Sequence, residues 1–372
     1  MTKRFMIEQL YEKWNVTPPS TLNEFTGYES VYPHLDTFTN EQYDRYPDTV
    51  IDQVFKIYRS INLIPITYYT EDGIRQTISD LCRVTANPIQ DNILGLGNNR
   101  GQALIRFMFP NMMTAEPKGR GSNSLKDRFF DDTKLKRAIK ICFQYREGGN
   151  LVRPIAMRRA LELVTGENIQ NFKAFNARSI IEELCPIFGG RIYDYSAGYG
   201  GRMLGTCTSR MHYEYLCAEP NTETVKYLEY LASFLRSEIK INCIGSEEYQ
   251  PHNIDLAFSS PPYFNLEKYC DEPTQCMVKF NTLDEWFGGY VEPTMEHIYK
   301  CLNKDGIFAT NIADYKTPKG EFKIVSKWIE TAEKIGFSYQ NTIKMLLNTR
   351  PGVGNNKKES SSKFEGIYVF RK

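Results

Sequence analysis

The stretch RIYDYSAGYGGRMLG (residues 191–205) joins a short strand pattern to the start of a helix through a glycine-rich turn. The strand pattern ends at Asp194, and Gly198, Gly200 and Gly201 follow shortly after it. Glycine lets the backbone come close to a ligand, and the first turn of a helix offers unpaired N–H groups. The spacing D-x-x-x-G-x-G differs from the dinucleotide pattern G-x-G-x-x-G. The turn therefore indicates either a nucleoside site or a tight turn with a purely structural role.

Outward from this turn, strand and helix patterns alternate along the second half of the chain. Short β-rich runs occur at 191–195, 215–219, 240–244, 254–259 and 306–312. Helical patterns separate them at about 200–208, 222–237, 284–303 and 320–335. Such alternation builds βαβ units, so we predict an α/β fold with a mostly parallel, doubly wound sheet covered on both faces. The last two strand patterns flank a polar loop and predict a β-hairpin added to that sheet.

The sequence SSPPYFNLEKY (259–269) follows IDLAF, which is the pattern of a buried strand. It therefore lies at the carboxyl end of a strand, where open α/β sheets bind their ligands. The paired prolines impose an extended path and leave the carbonyls of Ser260 and Pro261 free to accept hydrogen bonds. Tyr263 and Phe264 then offer flat aromatic faces. Rigid acceptors beside aromatic rings suit a planar ring with an amino group; a proline-stiffened loop with core aromatics is the structural alternative.

Composition excludes several classes of protein. Of the 372 residues, 41% are apolar and 13% aromatic, which is enough for a sizeable core and excludes a wholly disordered chain. No segment has about 18 consecutive apolar residues, and the N-terminus lacks an apolar signal core, so we expect a cytoplasmic protein without a membrane span. The nine cysteines and four histidines are scattered, so we expect neither a disulfide framework nor a metal site.

The net charge of +1 hides an uneven distribution. Residues 1–99 hold 8 basic and 13 acidic side chains, whereas residues 100–159 hold 14 basic and 5 acidic ones. A block that basic is either a surface for a polyanion or the solvated face of helices. We predict three regions: 1–99 of unclear role, 100–170 as a mainly helical basic extension, and 171–372 as the α/β domain.

The two motifs together resemble those of a known family. D-Y-S-A-G-Y-G (194–200) and S-P-P-Y-F (260–264) are similar to the D-P-F-A-G-S-G and [DNS]-P-P-[YFW] motifs of S-adenosylmethionine-dependent DNA amino-methyltransferases. The resemblance covers about half of the chain, from residue 172 to its end, and the motifs have the family's order. It implies a seven-stranded Rossmann-like sheet with an antiparallel last strand, and S-adenosylmethionine as cofactor. Tyr195 and Ser196 replace the family's Pro and Phe, which implies a differently shaped cofactor pocket.

The resemblance also assigns roles to individual positions. The residues implied to bind the cofactor are Asp194, Ala197, Gly198, Gly200, Glu219, Ser246, Glu247 and Phe175. Among them, Glu219 matches the acid that binds the ribose, and Ser246 or Glu247 matches the contact to the adenine ring. The residues implied to be catalytic are Ser260, Pro261, Pro262 and Tyr263. Arg202 continues the glycine loop and either approaches a carboxylate or phosphate or is an ordinary surface residue.

The implied reaction is methylation of the exocyclic amino group of a base in double-stranded DNA. The Ser260 hydroxyl and the Pro261 carbonyl are expected to accept the two N–H bonds of that group, while Tyr263, with Phe264 beside it, stacks on the ring. The base must be flipped out of the duplex, which requires a second surface on the phosphate backbone. The basic block is the candidate, and the 351–363 loop is another. The phosphate contacts expected in the block are Arg100, Arg120, Lys126, Arg128, Lys136 and Arg137.

Several alternatives remain at this level. In the family, Ser at the first position of the tetrad accompanies cytosine-N4 methylation more often than adenine-N6 methylation, so Ser260 favours cytosine. RNA and protein amino-methyltransferases carry related N-P-P-Y motifs. A nucleic-acid-binding module with a methyltransferase-like fold is the non-enzymatic alternative, and it predicts a damaged loop or tetrad. We expect a monomer or a weak dimer.

Overall fold

One large mixed sheet occurs in the larger of the two units into which the chain divides. The computed structural model describes residues 11–13, 32, 35–117, 123–145, 151–165, 168–317, 320–347 and 363–372. One unit comprises Met1–Thr77 with Arg106–Gln170, and the unit that bears the sheet comprises Ile78–Ile105 with Asn171–Lys372.

The helices and strands of the described residues are as follows. The α-helices, α1 to α14 in chain order, are Asn40–Arg45, Pro47–Ile61, Glu71–Arg83, Gln102–Met108, Leu125–Phe130, Asp132–Tyr145, Pro154–Thr165, Ala174–Leu184, Gly201–Cys207, Thr222–Ala232, Cys276–Lys279, Leu283–Trp286, Glu292–Cys301 and Val325–Ile335. The strands, β1 to β13, are Ile89–Gln90, Ile93–Leu94, Glu116–Pro117, Arg191–Asp194, Glu214–Ala218, Ile239–Asn242, Ile254–Ser259, Glu267–Lys268, Leu302–Asn311, Tyr315–Thr317, Gly320–Phe322, Ser338–Leu346 and Phe364–Arg371. A π-helical turn, Phe287–Val291, continues α12 into α13.

Most of the described elements of the smaller unit are helices, and α2 shows why they pack. Its buried residues Val50, Val54, Tyr58 and Ile61 recur every three or four positions. That spacing places them on one stripe of the helix, and this stripe faces the core. The Tyr58 hydroxyl donates to the carbonyl oxygen of Val152 at 2.5 Å, so the stripe also satisfies its buried polar atom.

The sheet has the strand order β1-β2-β12-β13-β9-β7-β4-β5-β6. Strands β6, β5, β4, β7 and β9 pair in parallel. Strand β13 is antiparallel to both β9 and β12, because it forms a hairpin with β12 and inserts between the two. This confirms the predicted fold class, a doubly wound, Rossmann-like α/β sheet whose last strand is antiparallel.

Two short strands extend the predicted seven-stranded sheet to nine. Strand β2 pairs in parallel with residues 344–345 of β12, and β1 pairs with β2. They cover the edge of β12, which would otherwise present unpaired backbone groups. Residues 78–105 belong to the sheet-bearing unit, and the boundary that local charge placed at residue 99 stays a prediction. The roles predicted for 1–99 and 100–170 stay predictions.

Both faces of the sheet are covered, as the patterns predicted. Along β7, Leu256 and Phe258 belong to one core cluster, whereas Ala257 belongs to the other. Trp286 and Trp328 fill the second cluster and are fully buried. Because the parallel strands share one direction, their carboxyl ends lie at one edge of the sheet, which is the edge that carries the two motifs.

Among the residues that the structure describes, no helix is both long enough and apolar enough to cross a bilayer.

Glycine at two positions lets α9 approach α8 and the segment before it. A Cβ atom on Gly205 would lie 2.2 Å from the carbonyl oxygen of Ala174, and one on Gly201 would lie 2.0 Å from that of Phe172. Real Cβ atoms do not approach oxygen so closely, so both positions require glycine. The close approach fixes where α9 begins, and therefore where the glycine loop ends.

We predict that Gly205→Ala lowers the free energy of unfolding by about 1–3 kcal/mol, because one helix must move to admit the methyl group. The matched control is Gly288→Ala, where an added Cβ meets nothing within 4 Å. That variant should be neutral or slightly stabilising, since alanine favours helix over glycine by up to about 1 kcal/mol. Denaturant unfolding measures both, and a G205A protein as stable as the wild type would contradict the described packing.

Candidate active site

The glycine loop leaves the end of β4 and turns sharply into α9. Gly198 and Gly200 have φ angles of 53° and 68°, which lie in the left-handed region that favours glycine. The amide of Ala197 donates to the carbonyl oxygen of Ala218 at 3.0 Å and so ties the loop to the neighbouring strand β5. A Cβ on Gly198 would meet only one atom within 4 Å, the Ser196 carbonyl oxygen at 3.9 Å. The loop thus presents bare backbone at the carboxyl edge of the sheet.

Asp194, the last residue of β4, is 1% exposed and has donors on both carboxylate oxygens. Oδ1 accepts from the Ser259 hydroxyl at 2.7 Å and from the Ser196 amide at 3.4 Å. Oδ2 accepts from Arg202 Nε at 2.9 Å and from the Tyr215 hydroxyl at 2.7 Å. The cofactor contact implied for Asp194 stays a prediction, but in this structure its carboxylate binds the protein's own groups.

Arg202 is buried, so it is not the ordinary surface residue that was one of its two interpretations. Its guanidinium pairs with Asp194 and also donates to the carbonyl oxygen of Ser196. It lies over the ring of Phe172, with 5.6 Å between Cζ and the ring centroid. Burial alone would lower the pKa of Arg202, but the Asp194 charge and hydrogen bond, with the Tyr215 hydroxyl, raise it above its usual value. The side chain is therefore a fixed cation under the loop.

Glu219 directly follows β5 and faces the glycine loop. Its Oε2 accepts from the Gly198 amide at 2.8 Å, and its Oε1 accepts from the Asn221 amide at 3.0 Å. The residue is 8% exposed, and this burial raises the pKa of its carboxyl to about 7, although the two amide bonds act in the opposite direction. Each carboxylate oxygen accepts more than one hydrogen bond, so the group keeps acceptor capacity for a ligand.

The segment after β6 holds the residues implied to contact an adenine ring. The Ser246 hydroxyl lies 3.0 Å from the Thr294 hydroxyl and is buried. Glu247 accepts from Lys279 Nζ at 2.7 Å through Oε1, while its buried Oε2 has no hydrogen-bond partner among the residues that the structure describes. A buried acceptor without a partner is costly and is typical of a site that a ligand donor completes. Phe175, implied as another cofactor contact, is buried on α8.

The tetrad follows β7, the strand next to β4. The Ser260 hydroxyl donates to Asn311 Oδ1 at 3.2 Å, and the Tyr263 hydroxyl donates to the Asn311 carbonyl oxygen at 3.2 Å. Asn311 in turn donates from Nδ2 to the Gly366 carbonyl oxygen at 3.2 Å. One residue at the end of β9 therefore holds both ends of the tetrad. Sequence reasoning missed it, and the available signal was an asparagine at the end of the fifth strand pattern.

Phe264 does not lie beside Tyr263 as a second stacking face. Its φ angle is 41°, an uncommon value for a bulky residue, and this turns the ring inward. The ring lies 6.2 Å from that of Trp286 and 5.8 Å from that of Phe322, and the residue is 6% exposed. This burial does not fit a substrate contact; the structural alternative, a core aromatic, describes the observed position.

Two further carboxyl groups, which were not predicted from the sequence, lie at this edge of the sheet. The Tyr269 hydroxyl donates to Glu267 Oε2 at 2.6 Å. Glu365 lies near the start of β13, two residues before Ile367, which pairs with Asn311. Burial raises the pKa of both carboxyls, and the Glu365 charge adds to the rise for Glu267. No group of three or more potential metal ligands occurs among the residues that the structure describes.

The basic residues predicted to contact phosphate have different surroundings. Arg128 is 1% exposed and donates to the carbonyl oxygens of Asn123 at 2.9 Å and Leu161 at 3.3 Å, a position that does not fit a phosphate contact. Lys136 is exposed and pairs with Asp52 at 2.8 Å.

The other residues predicted to contact phosphate differ in how exposed their side chains are. Arg100, in the sheet-bearing unit, and Arg137, on α6, are exposed, and Lys126 is half-buried on α5. Arg120 and most of the 351–363 loop lie outside the described residues. The phosphate contacts of these residues stay predictions.

This chain is similar to known proteins in structure alone. No protein-family model matches the chain. No curated protein sequence matches it.

Several similar solved structures are methyltransferases by their descriptions, and others are a cyclopropane synthase and a [4+2]-cyclase. The methyltransferases include a TehB-like SAM-dependent methyltransferase from Corynebacterium glutamicum (17% identity, TM-score 0.35, covering 58% of this chain and 95% of that one). A methyltransferase from Pyrococcus furiosus has 16% identity and a TM-score of 0.36, covering 57% of this chain and 93% of that one. A SAM-dependent O-methyltransferase from Thermotoga maritima has 13% identity and a TM-score of 0.34, covering 57% and 69%. The strand order of the sheet, and not these likenesses, identifies the fold.

The raised pKa of Glu219 predicts a pH-dependent stability. Because its folded pKa is about 7, above the ordinary value of 4.5, the folded protein binds this proton more tightly than the unfolded chain. The free energy of unfolding therefore falls as the pH rises from about 4.5 to about 7. Glu219→Gln, which carries no charge, should exceed the wild type by up to about 3 kcal/mol at pH 8, and the difference should close below about pH 4.5.

Denaturant unfolding of the ligand-free protein over this pH range measures the difference. The matched control is Glu229→Gln, an exposed position on α10, which should follow the wild type at every pH. A difference between E219Q and the wild type that is constant with pH would contradict the burial of the Glu219 charge.

Proposed function

We propose that this chain is a methyltransferase that uses S-adenosylmethionine to methylate the exocyclic amino group of a flipped-out base in double-stranded DNA, with cytosine N4 as the favoured acceptor. One observation carries the proposal. The glycine loop and the S-P-P-Y tetrad leave neighbouring strands at the same edge of the sheet, and Asp194 accepts hydrogen bonds from Ser196 of the loop and from Ser259, which immediately precedes the tetrad. A cofactor over the loop would therefore lie beside a base held by the tetrad.

The residues of the pocket fit this cofactor. Glu219 has the acceptor capacity for two ribose hydroxyls, and Gly198 and Gly200 let the methionine part lie against bare backbone. The unpartnered Oε2 of Glu247 supplies an acceptor for a donor on the adenine ring. The cofactor supplies a methyl group activated by a positively charged sulfur.

The tetrad supports the other half of the reaction. The amino nitrogen of cytosine or adenine is conjugated with its ring and is a poor nucleophile. Acceptance of its two N–H bonds by Ser260 and by the Pro261 carbonyl would draw electron density back to the nitrogen and orient its lone pair. Asn311 holds Ser260 and Tyr263 through hydrogen bonds of 3.2 Å each, so these groups are oriented before a substrate binds. Stacking on Tyr263 would contribute about 1–3 kcal/mol.

DNA is favoured as the substrate by the basic extension. Extrusion of a base costs a few kcal/mol and needs contacts to the backbone on both sides of the target. Exposed Arg137 and Lys136 belong to a helix of that extension, α6. Ser260 favours cytosine N4. Adenine N6, an RNA base and a protein side chain are the other acceptors that the same tetrad chemistry would serve.

We predict that Ser260→Ala lowers kcat for methyl transfer to unmethylated duplex DNA by about 10²-fold, the scale of one lost transition-state hydrogen bond. The Kd for S-adenosylmethionine should stay within about twofold, since the removed hydroxyl belongs to the base site. Transfer of a radiolabelled methyl group and calorimetry measure the two quantities. Ser233→Ala, at an exposed position after α10, is the control. A fully active S260A protein would contradict the role of the tetrad.

Contacts with phosphate predict a salt-dependent affinity. If Arg137 binds one phosphate, Arg137→Gln should reduce the slope of log K against log salt by about one, with equal loss for all DNA sequences. Lys304→Gln is the control, because Lys304 is exposed near the start of β9, at the opposite edge of the sheet. Fluorescence anisotropy with labelled duplexes gives the slopes. Equal slopes for R137Q and the wild type would exclude Arg137 as a phosphate contact.

A further inference from the structure

We infer that Ser259 and Arg202 are positioning residues, which hold the tetrad and the glycine loop in one fixed arrangement through the shared carboxylate of Asp194. The inference deepens the proposed function and rests on it for its kinetic consequence. Its structural part, that the two loops are mechanically coupled, stands on the described contacts alone.

The coupling begins at the end of β7. Ser259 is the last residue of that strand and immediately precedes Ser260. It is fully buried, and its hydroxyl donates to Asp194 Oδ1 at 2.7 Å. The Ser259 hydroxyl oxygen also lies 3.2 Å from the carbonyl oxygen of Ser196 in the glycine loop. A displacement of Ser260 would therefore strain the hydrogen bond between Ser259, at the end of β7, and Asp194, where the glycine loop starts.

Arg202 completes the coupling from the other side of the loop. It lies in the first turn of α9, donates from Nε to Asp194 Oδ2 at 2.9 Å, and also donates to the Ser196 carbonyl oxygen. The loop between Asp194 and Arg202 is thus closed by an ion pair beneath it. Both charges are almost wholly buried, and a buried charge that loses its partner is strongly unfavourable, so the pair resists separation.

Methyl transfer needs such coupling because its two reactants would be held by different loops. The glycine loop would fix the methyl donor, whereas the tetrad would fix the amino nitrogen. Reaction requires the two atoms to approach in line, and a misplacement of about 1 Å can cost about 10²-fold in rate. Ser259 and Arg202 would contact neither the methyl donor nor the base, and they act through the glycine loop and the tetrad.

Tyr215 provides a matched comparison within the same cluster. Its hydroxyl donates to Asp194 Oδ2 at 2.7 Å, the same length as the bond from Ser259. Tyr215 belongs to β5, outside both the glycine loop and the tetrad, and is also fully buried. Tyr215→Phe and Ser259→Ala therefore each remove one hydroxyl bond to one carboxylate, but only Ser259→Ala removes a bond to the strand that bears the tetrad.

The test compares the two variants in three measurements. In S259A we expect kcat for methyl transfer to DNA to fall by about 10²-fold, with the Kd for S-adenosylmethionine within about threefold of the wild type. In Y215F we expect kcat within about threefold of the wild type. In the ligand-free proteins, amide hydrogen exchange should quicken at 195–200 and 263–266 together in S259A and at neither segment in Y215F.

Each outcome decides one point. Equal kcat values in S259A and Y215F would overturn the positioning role, as would exchange that quickens in only one of the two segments. A wild-type protein without transferase activity would contradict the proposed function, and the exchange experiment would still test the coupling. If S259A does not fold, Ser259→Cys keeps the volume with a much weaker donor and replaces S259A in all three measurements.

Discussion

The carboxylate of Asp194 is the constraint on which the site depends. It ends β4, the middle one of the five parallel strands, and hydroxyl groups from β5 and β7 and the guanidinium of α9 converge on it. Because a buried negative charge is tolerated only when it is paired and hydrogen-bonded, these bonds together stabilise the carboxylate in the core. Those from Ser259 and Arg202 also hold the segments that bear the tetrad and the glycine loop. The same requirement fixes where the two loops start. The stability of the core and the geometry of the site therefore share one set of bonds.

The parallel sheet converts that local constraint into a pocket. Strands β5, β4, β7 and β9 end side by side, so Glu219, Asp194, Ser260 and Asn311 follow one another along a single edge. Hydrogen bonds link the segments that end at this edge. Gly198 of the glycine loop bonds to Glu219, Ser259 bonds to Asp194, and Ser260 bonds to Asn311. A ligand that spans the edge meets groups already oriented by the fold, which reduces the reorganisation needed for reaction.

The parts that could be predicted from the sequence are those set by local chemistry. Glycines with positive φ, adjacent prolines and alternating strand and helix patterns act over a few residues, so the loop, the tetrad and the doubly wound sheet were accessible. Asn311, the burial of Arg202 and Arg128, and the added strands β1 and β2 depend on pairing between distant segments. The inward turn of Phe264 depends on a backbone angle that the letters S-P-P-Y-F do not determine. Local patterns carry no information about such partners.

The proposed reaction is best tested by nucleoside mass spectrometry of unmethylated DNA incubated with the protein and isotopically labelled S-adenosylmethionine. We expect label in N4-methylcytosine. Label in N6-methyladenine would keep the shared edge and its chemistry and change only the base. No labelled nucleoside in DNA of varied sequence would contradict the account, because the two loops would then not bring a methyl donor and a DNA base together.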